Sequence, residues 1–237
     1  MRAIFKREFK SFFTTPIGYI YLAIMMLAQG WAFVDVYSYG STDIGYIFST
    51  FFSFSAIFLL IPVLTMRTMS EDRRQKVDQV LITSPVSLYS IVFGKFFATL
   101  AIFMLGYSMT FVFQVIIAFQ ESVTVNWLIY IGNILGVLLI GSALIAMGIF
   151  ISSLTESQLV SAVVGFAASI VLYLMVSFAT SIGVCWITKA VKWISFIGRY
   201  SAFAQGVIDY SNAVFFLGFA AIFIFLTVRV LDKRRYS

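Results

Sequence analysis

The sequence predicts an all-α integral membrane protein of six transmembrane helices, and three observations carry that prediction. Hydrophobic residues make up 61% of the chain and charged residues 11%, with a mean hydropathy of +1.00, far from the balance of a soluble domain. The apolar residues fall in runs near or above the roughly 20 residues a helix needs to cross a bilayer. The cations, finally, segregate: Arg2, Lys6, Arg7, Lys10, Arg67, Arg73, Arg74, Lys76, Lys95, Arg229, Lys233, Arg234 and Arg235 fall on the side that this topology makes cytoplasmic. Only Lys189, Lys192 and Arg199 fall on the other. The net charge of +6 therefore reads as the positive-inside rule and not as a nucleic-acid footprint.

Residues 1–15 place Met1, Phe5, Phe9 and Phe12 on one helical face and Arg2, Lys6 and Lys10 on another. This is an interfacial amphipathic helix with its cations toward anionic headgroups. A signal peptide is the rival, but the apolar run that follows is long and lacks a small-residue cleavage site, which favours an uncleaved anchor. Pro16 opens a new element, because the residue before a proline is pushed out of the helical region. The first span covers 17–34, and the second covers 44–66 with Pro62 as a kink near its cytoplasmic end. The third runs over 90–119, with Lys95 close enough to the inner edge to snorkel. The fourth (127–152) and fifth (158–177) are joined by a tight inner turn containing Glu156. The last (213–231) ends in a basic tail, so both termini are cytoplasmic.

Between the second and third spans lies the largest polar island, 67–85, with Arg67, Glu71, Asp72, Arg73, Arg74, Lys76 and Asp78. Met69, Val77, Val80 and Leu81 fall at helical spacing on its other face. The island is too charged for lipid and too amphipathic for a slack linker. It reads as a helix lying flat on the membrane surface, able to dock a soluble partner; the plainer alternative is a solvated loop that only sets topology. Residues 181–212 are apolar enough for a seventh span, yet that span would bury Lys189 and Lys192 at about 2.5–3.5 kcal/mol each and move the basic tail outside. They are read instead as outer-face helices, flat or re-entrant, anchored by Trp186 and Trp193.

Gly132 and Gly136 form a GxxxG pair in the fourth span, and Ser161, Gly165 and Ser169 form a similar stripe in the fifth. Two small faces predict that these spans pack closely as a hairpin. Chemistry is scarce. There is no His, and the single Cys185 cannot form an internal disulfide. Gly94-Lys95 lacks the rest of a phosphate loop, no residue cluster suits a metal, and no span carries a central carboxylate for proton relay. Gln29 and Gln114, the main polar interruptions, read as bonds to neighbouring helices. No catalytic residue is expected, and energy for any transport must come from another subunit.

The pattern Arg67…Glu71-Asp72-Arg73…Leu81-Ile82-Thr83-Ser84-Pro85-Val86-Ser87…Gly94-Lys95 resembles the signature region of ABC-2-type transporter permeases. Pro16-Ile17-Gly18-Tyr19 looks like the same family. Ala204-Gln205-Gly206-Val207-Ile208-Asp209, before the last span and basic tail, is similar to its gliding-motility-type subgroup. The chain departs from many relatives in having Lys76-Val77 where they have Gly-Thr. The resemblance implies a bacterial inner-membrane permease, mostly for export, that pairs with a second permease copy and two cytoplasmic ATPase subunits, with an auxiliary extracytoplasmic subunit as an optional partner. ATP and Mg would be bound by the ATPase, and this chain would carry no cofactor. The 67–85 helix would be the coupling helix, with Glu71, Asp72, Arg73, Arg74 and Asp78 meeting the ATPase and Glu156 adding a second contact. Substrate would pass between the copies along spans two and five, under the 181–212 helices. The competing reading is a non-transporting scaffold that anchors a motility or cell-surface complex.

Overall fold

The computed structural model describes residues 1–38, 51–76, 87–119, 127–182, 186, 191, 194–207 and 209–235. Among these residues the regular structure is entirely helical. Helix α1 (Arg2–Thr14) ends where Thr15 turns extended, as a residue before proline must, and α2 (Pro16–Ser38) starts on the proline itself. On α1, Arg2, Lys6 and Lys10 are exposed; of the predicted apolar face, Phe12 is buried, Phe5 and Phe9 are half-buried and Met1 is exposed, while Ile4 is buried besides. Helix α3 (Phe51–Arg74) follows, then α4 (Leu88–Tyr107), capped by the Ser87 hydroxyl accepting from the Ser90 amide at 3.3 Å, and α5 (Met109–Ala118). The chain continues with α6 (Trp127–Leu154), α7 (Gln158–Ile182), α8 (Phe196–Ala204) and α9 (Tyr210–Arg235).

Among the described residues, five stretches are long and apolar enough to cross a membrane: Pro16–Asp35, Leu88–Ile116, Trp127–Leu154, Gln158–Met175 and Tyr210–Arg235. Helix α3 is comparable in length at 24 residues, but its described side chains run into the charged residues Arg67 to Arg74. Helix α6 is the hub. It is the most buried of the five, and α9, α3, α8, α7 and α4 all pack on it. Its 28 residues span about 42 Å.

Three sequence expectations change. The helix that holds the second expected span does not end at Met66: α3 continues unbroken through Arg74, and the chain turns at Gln75 and Lys76, where Lys76 adopts φ 57°. Helix-compatible charges make this possible, with Arg67 bonded to Glu71 one turn on and Gln75 donating to Glu71 at 3.1 Å. The first half of the polar island is thus the end of a long helix, while 77–86, with Asp78, lies outside the described residues. The third span is two helices, α4 and α5, divided at Ser108. There the Ser108 and Thr110 hydroxyls donate to Leu105 O and Tyr107 O at 2.7 Å, and the amides of Ser108 and Phe111 bond three residues back.

The third change concerns the small residues. Gly132 and Gly136 do not face α7. A Cβ on Gly132 would come 2.8 Å from Phe203 O, and one on Gly136 would come 2.8 Å from Phe203 Cβ and 2.9 Å from the Tyr200 ring, so both admit α8. Gly165 on α7 faces Pro62 of α3, whose Cβ would lie 3.1 Å away. Helix α3 packs on both α6 and α7 more extensively than those two pack on each other, so the glycines of the predicted hairpin do not bring α6 and α7 together. The small faces are real, but each serves a third helix.

Helix α8 is held by Tyr200 Oη donating to Asn133 Oδ1 at 2.8 Å and by the buried Arg199, which donates to Asn212 at 2.9 Å and lies 4.2 Å over the Phe215 ring. At nine residues it is too short to cross a bilayer, and Gly206, at φ 78°, ends it in the left-handed conformation that glycine permits. Of the proposed anchors, Trp186 is exposed and Trp193 lies outside the described residues. Gln29 does bond to a neighbour, donating to Gly106 O at 3.0 Å. Gln114 is buried and has no side-chain hydrogen-bond partner among the described residues, contrary to expectation.

Candidate functional site

Asn133, beneath α8, and Ser153, at the other end of α6, are separated by about 30 Å of helix, close to the thickness of a bilayer core. Around Ser153 gather α1, the end of α3, the start of α4, the α6–α7 turn and the tail of α9, so nearly every described charge sits at one end of the bundle. Arg234 donates to Ser153 O and ties down α9. The Ser152 hydroxyl accepts from the amides of Met69 and Ser70 at 3.1 Å and donates to Met66 O at 3.0 Å. Its one donor and two acceptor sites are all used, and α3 is pinned to α6 just before its charged end.

At that end Lys95 is 1% exposed, so it does not snorkel. Its Nζ lies 3.1 Å from Glu8 Oε1 and 2.6 Å from Asp72 Oδ2, and it donates to Thr68 O at 2.5 Å. The Asp72 contact is an ion pair without hydrogen-bond alignment. Arg7 bridges the same carboxylates, at 2.5 Å from Glu8 and 3.5 Å from Asp72. Two cations and two carboxylates thus neutralise one another where an unpaired charge would be costly. Burial pushes the Glu8 carboxyl up, but Lys95 and Arg7 outweigh it and hold the group below its ordinary range. Burial likewise works against charged Arg7, and Glu8 and Asp72 outweigh it, raising its pKa.

The predicted contact residues have distinct fates. Glu71 bonds to Arg67 within α3, and Asp72 belongs to the buried network. Arg73 reaches Glu156 at 2.7 Å and donates to Leu154 O at 3.2 Å, joining the two predicted contact elements to each other. Arg74 is exposed, with Gln75 and Lys76 beside it. Two recesses flank the end of α3. One, of about 280 Å³, is lined by Arg7, Ser11, Arg67, Glu71 and Gln75 and lies toward α1. The other, of about 410 Å³, is lined by Met66, Arg74, Glu156, Ser157, Gln158 and Leu159 and lies toward the α6–α7 turn. The latter combines an apolar floor with charges of both signs and is open to a partner side chain.

Sequence reasoning missed Glu8, whose charge among the basic residues of α1 was the available signal, and Ser152, which carried none. It placed Lys95 correctly along the chain but not in its environment.

These features define a polytopic α-helical membrane protein with its charges gathered at one end of the bundle. The sequence model of the family described as ABC-2 family transporter protein matches residues 4–230, and the chain belongs to that family. No curated protein matches it.

Proposed function

We propose that the chain is the six-span permease subunit of an ABC exporter in a bacterial inner membrane, with both termini cytoplasmic. It would form the translocation path with a second permease copy and be driven by two separate ATPase subunits that bind and hydrolyse ATP. The observation that carries this reading is the exposed ridge of Arg74, Gln75 and Lys76 beside Glu156, at the charged end of a chain of this family. The α3 end and the α6–α7 turn, joined through Arg73 and Glu156, present one continuous surface to an ATPase. Energy received there passes into α6 through Ser152 and into α4 through Lys95.

The test uses residues that leave the internal ion pairs intact. Reversing Asp72 would also break its contact with Lys95, so Arg74→Glu with Lys76→Glu is the better probe. Breaking charged contacts at a docking surface costs up to several kcal/mol when they are desolvated, against about 0–1 kcal/mol when exposed. The double variant should insert and fold as the parent but lose co-purification with the ATPase, most clearly at low salt, where the reversed charges are least screened. Normal binding with normal ATP turnover would remove the ridge from the interface. Binding that never stimulates ATP hydrolysis, in parent and variant alike, would favour the anchoring scaffold.

A further inference from the structure

We propose that Lys95 and Glu8 lock α1 to the charged end of α3, making the N-terminal interfacial helix a second arm that moves with the ATPase-facing end. Helix α1 packs closely on α4 and α2, and charged and polar side chains reach between it and α3 around the 280 Å³ recess. Those ties run both ways. Arg7 of α1 reaches Asp72, and Arg67 of α3 donates to Ser11 at 3.2 Å and Thr15 at 2.5 Å. Lys95 lies behind them with three N–H donors and three oxygen partners, one on α1 and two on α3.

The neighbouring residue prepares the seat. A Cβ on Gly94 would lie 2.9 Å from Ile4 Cγ2, so only glycine lets α1 approach α4 closely enough for Glu8 to reach Lys95. The adjacent Gly94 and Lys95 thus divide one task between them: Gly94 admits α1 and Lys95 ties it to α3. Because Lys95 touches both helices through polar contacts, its substitution loosens the α1–α3 tie without removing either helix. Helix α1 exposes Arg2, Lys6 and Lys10 on its outer face and passes into α2 through Thr15 alone. Displacement of the α3 end would therefore reach both the headgroup plane and the first span. Lys95 and Glu8 act here as positioning residues.

This inference rests on the ATPase reading for its driving force, and the experiment separates the two. Spin labels at Lys10→Cys, Lys76→Cys and Leu217→Cys, taken pairwise in a Cys185→Ser background, report distances across the lock and from each arm to the bundle. In the permease alone, Lys95→Met and Glu8→Gln should broaden the 10–76 distance distribution, whereas Lys95→Arg, which keeps the charge, should restore much of its sharpness. An unchanged distribution in Lys95→Met overturns the lock whether or not an ATPase binds. With the ATPase trapped by ATP and vanadate, the 76–217 and 10–217 distances should shift together in the parent while 10–76 stays constant. In Lys95→Met only 76–217 should shift, with ATPase co-purification, assayed in a permease that keeps Lys76, retained. A parent in which position 76 moves and position 10 does not overturns the second arm. Failure of the ATPase to bind the unlabelled parent, with Lys76 intact, counts against the proposed function and leaves the lock judged by the permease alone.

Discussion

Gly136→Ala adds one methyl group where α6 meets α8, and the structure sets its consequence. The new Cβ would lie 2.8 Å from Phe203 Cβ and 2.9 Å from two carbons of the Tyr200 ring. Carbon atoms rest at about 3.5–4.0 Å, so α8 must retreat by something near 1 Å. That retreat carries the Tyr200 hydroxyl away from Asn133, now 2.8 Å distant, and past useful hydrogen-bond range. Overpacking costs about 1–3 kcal/mol and loss of the buried hydrogen bond about 0.5–1.5 kcal/mol, partly offset by the better helix propensity of alanine. A net loss of about 1–4 kcal/mol follows. Gly218→Ala is the matched control, because its Cβ would meet nothing within 4 Å; it should be neutral or stabilising by up to about 1 kcal/mol. Thermal unfolding in detergent, followed by intrinsic fluorescence and by size exclusion, reads both. Tyr200→Leu should partly rescue Gly136→Ala by making room on α8. Equal stability of the two glycine variants, or no rescue from α8, would refute the α6–α8 contact.

Four further outcomes follow from the same geometry. Lys95→Met leaves Arg7 alone to offset two partly buried carboxylates and should cost up to about 3–5 kcal/mol, whereas Glu156→Gln, with its side chain 65% exposed, should cost about 0–1 kcal/mol by the same thermal assay. Ser152→Ala should speed hydrogen exchange at the Met69 and Ser70 amides and cost about 1–3 kcal/mol, with little change at α8. Because Glu8 titrates below its ordinary value of 4.5, its contribution is complete above that value and lost as pH falls through the depressed one. Spin-label distances between α1 and α3 should therefore hold at pH about 5 and lengthen only in stronger acid, and Glu8→Gln should remove that dependence. Finally, cysteine at Ser201 should react with an impermeant reagent from outside in a Cys185→Ser background, and cysteine at Ser157 should not; the reverse pattern would invert the proposed topology.

The covalent order of polar and apolar residues determined most of the architecture. Helix Trp127–Leu154 is legible because its apolar length exceeds the bilayer, and the α1–α2 boundary is legible because Pro16 constrains Thr15 whatever surrounds it. The clustering of charge at one end is legible too, since alternating spans return every second connection to the same side. These are local or one-dimensional constraints. Which helix fills which groove is not. Gly132 and Gly136 advertise a close approach, but a missing Cβ carries no name for its visitor, and α8 fills the space that α7 was expected to fill. The charges Arg67 to Arg74 looked like a break because charge opposes lipid, yet they favour helix as well as apolar residues do, so α3 runs on. Lys95 looked like a snorkelling cation because its distance to the membrane edge is read along one helix. Its actual environment depends on Glu8 and Asp72, 87 and 23 positions away, and only packing could bring those carboxylates to it.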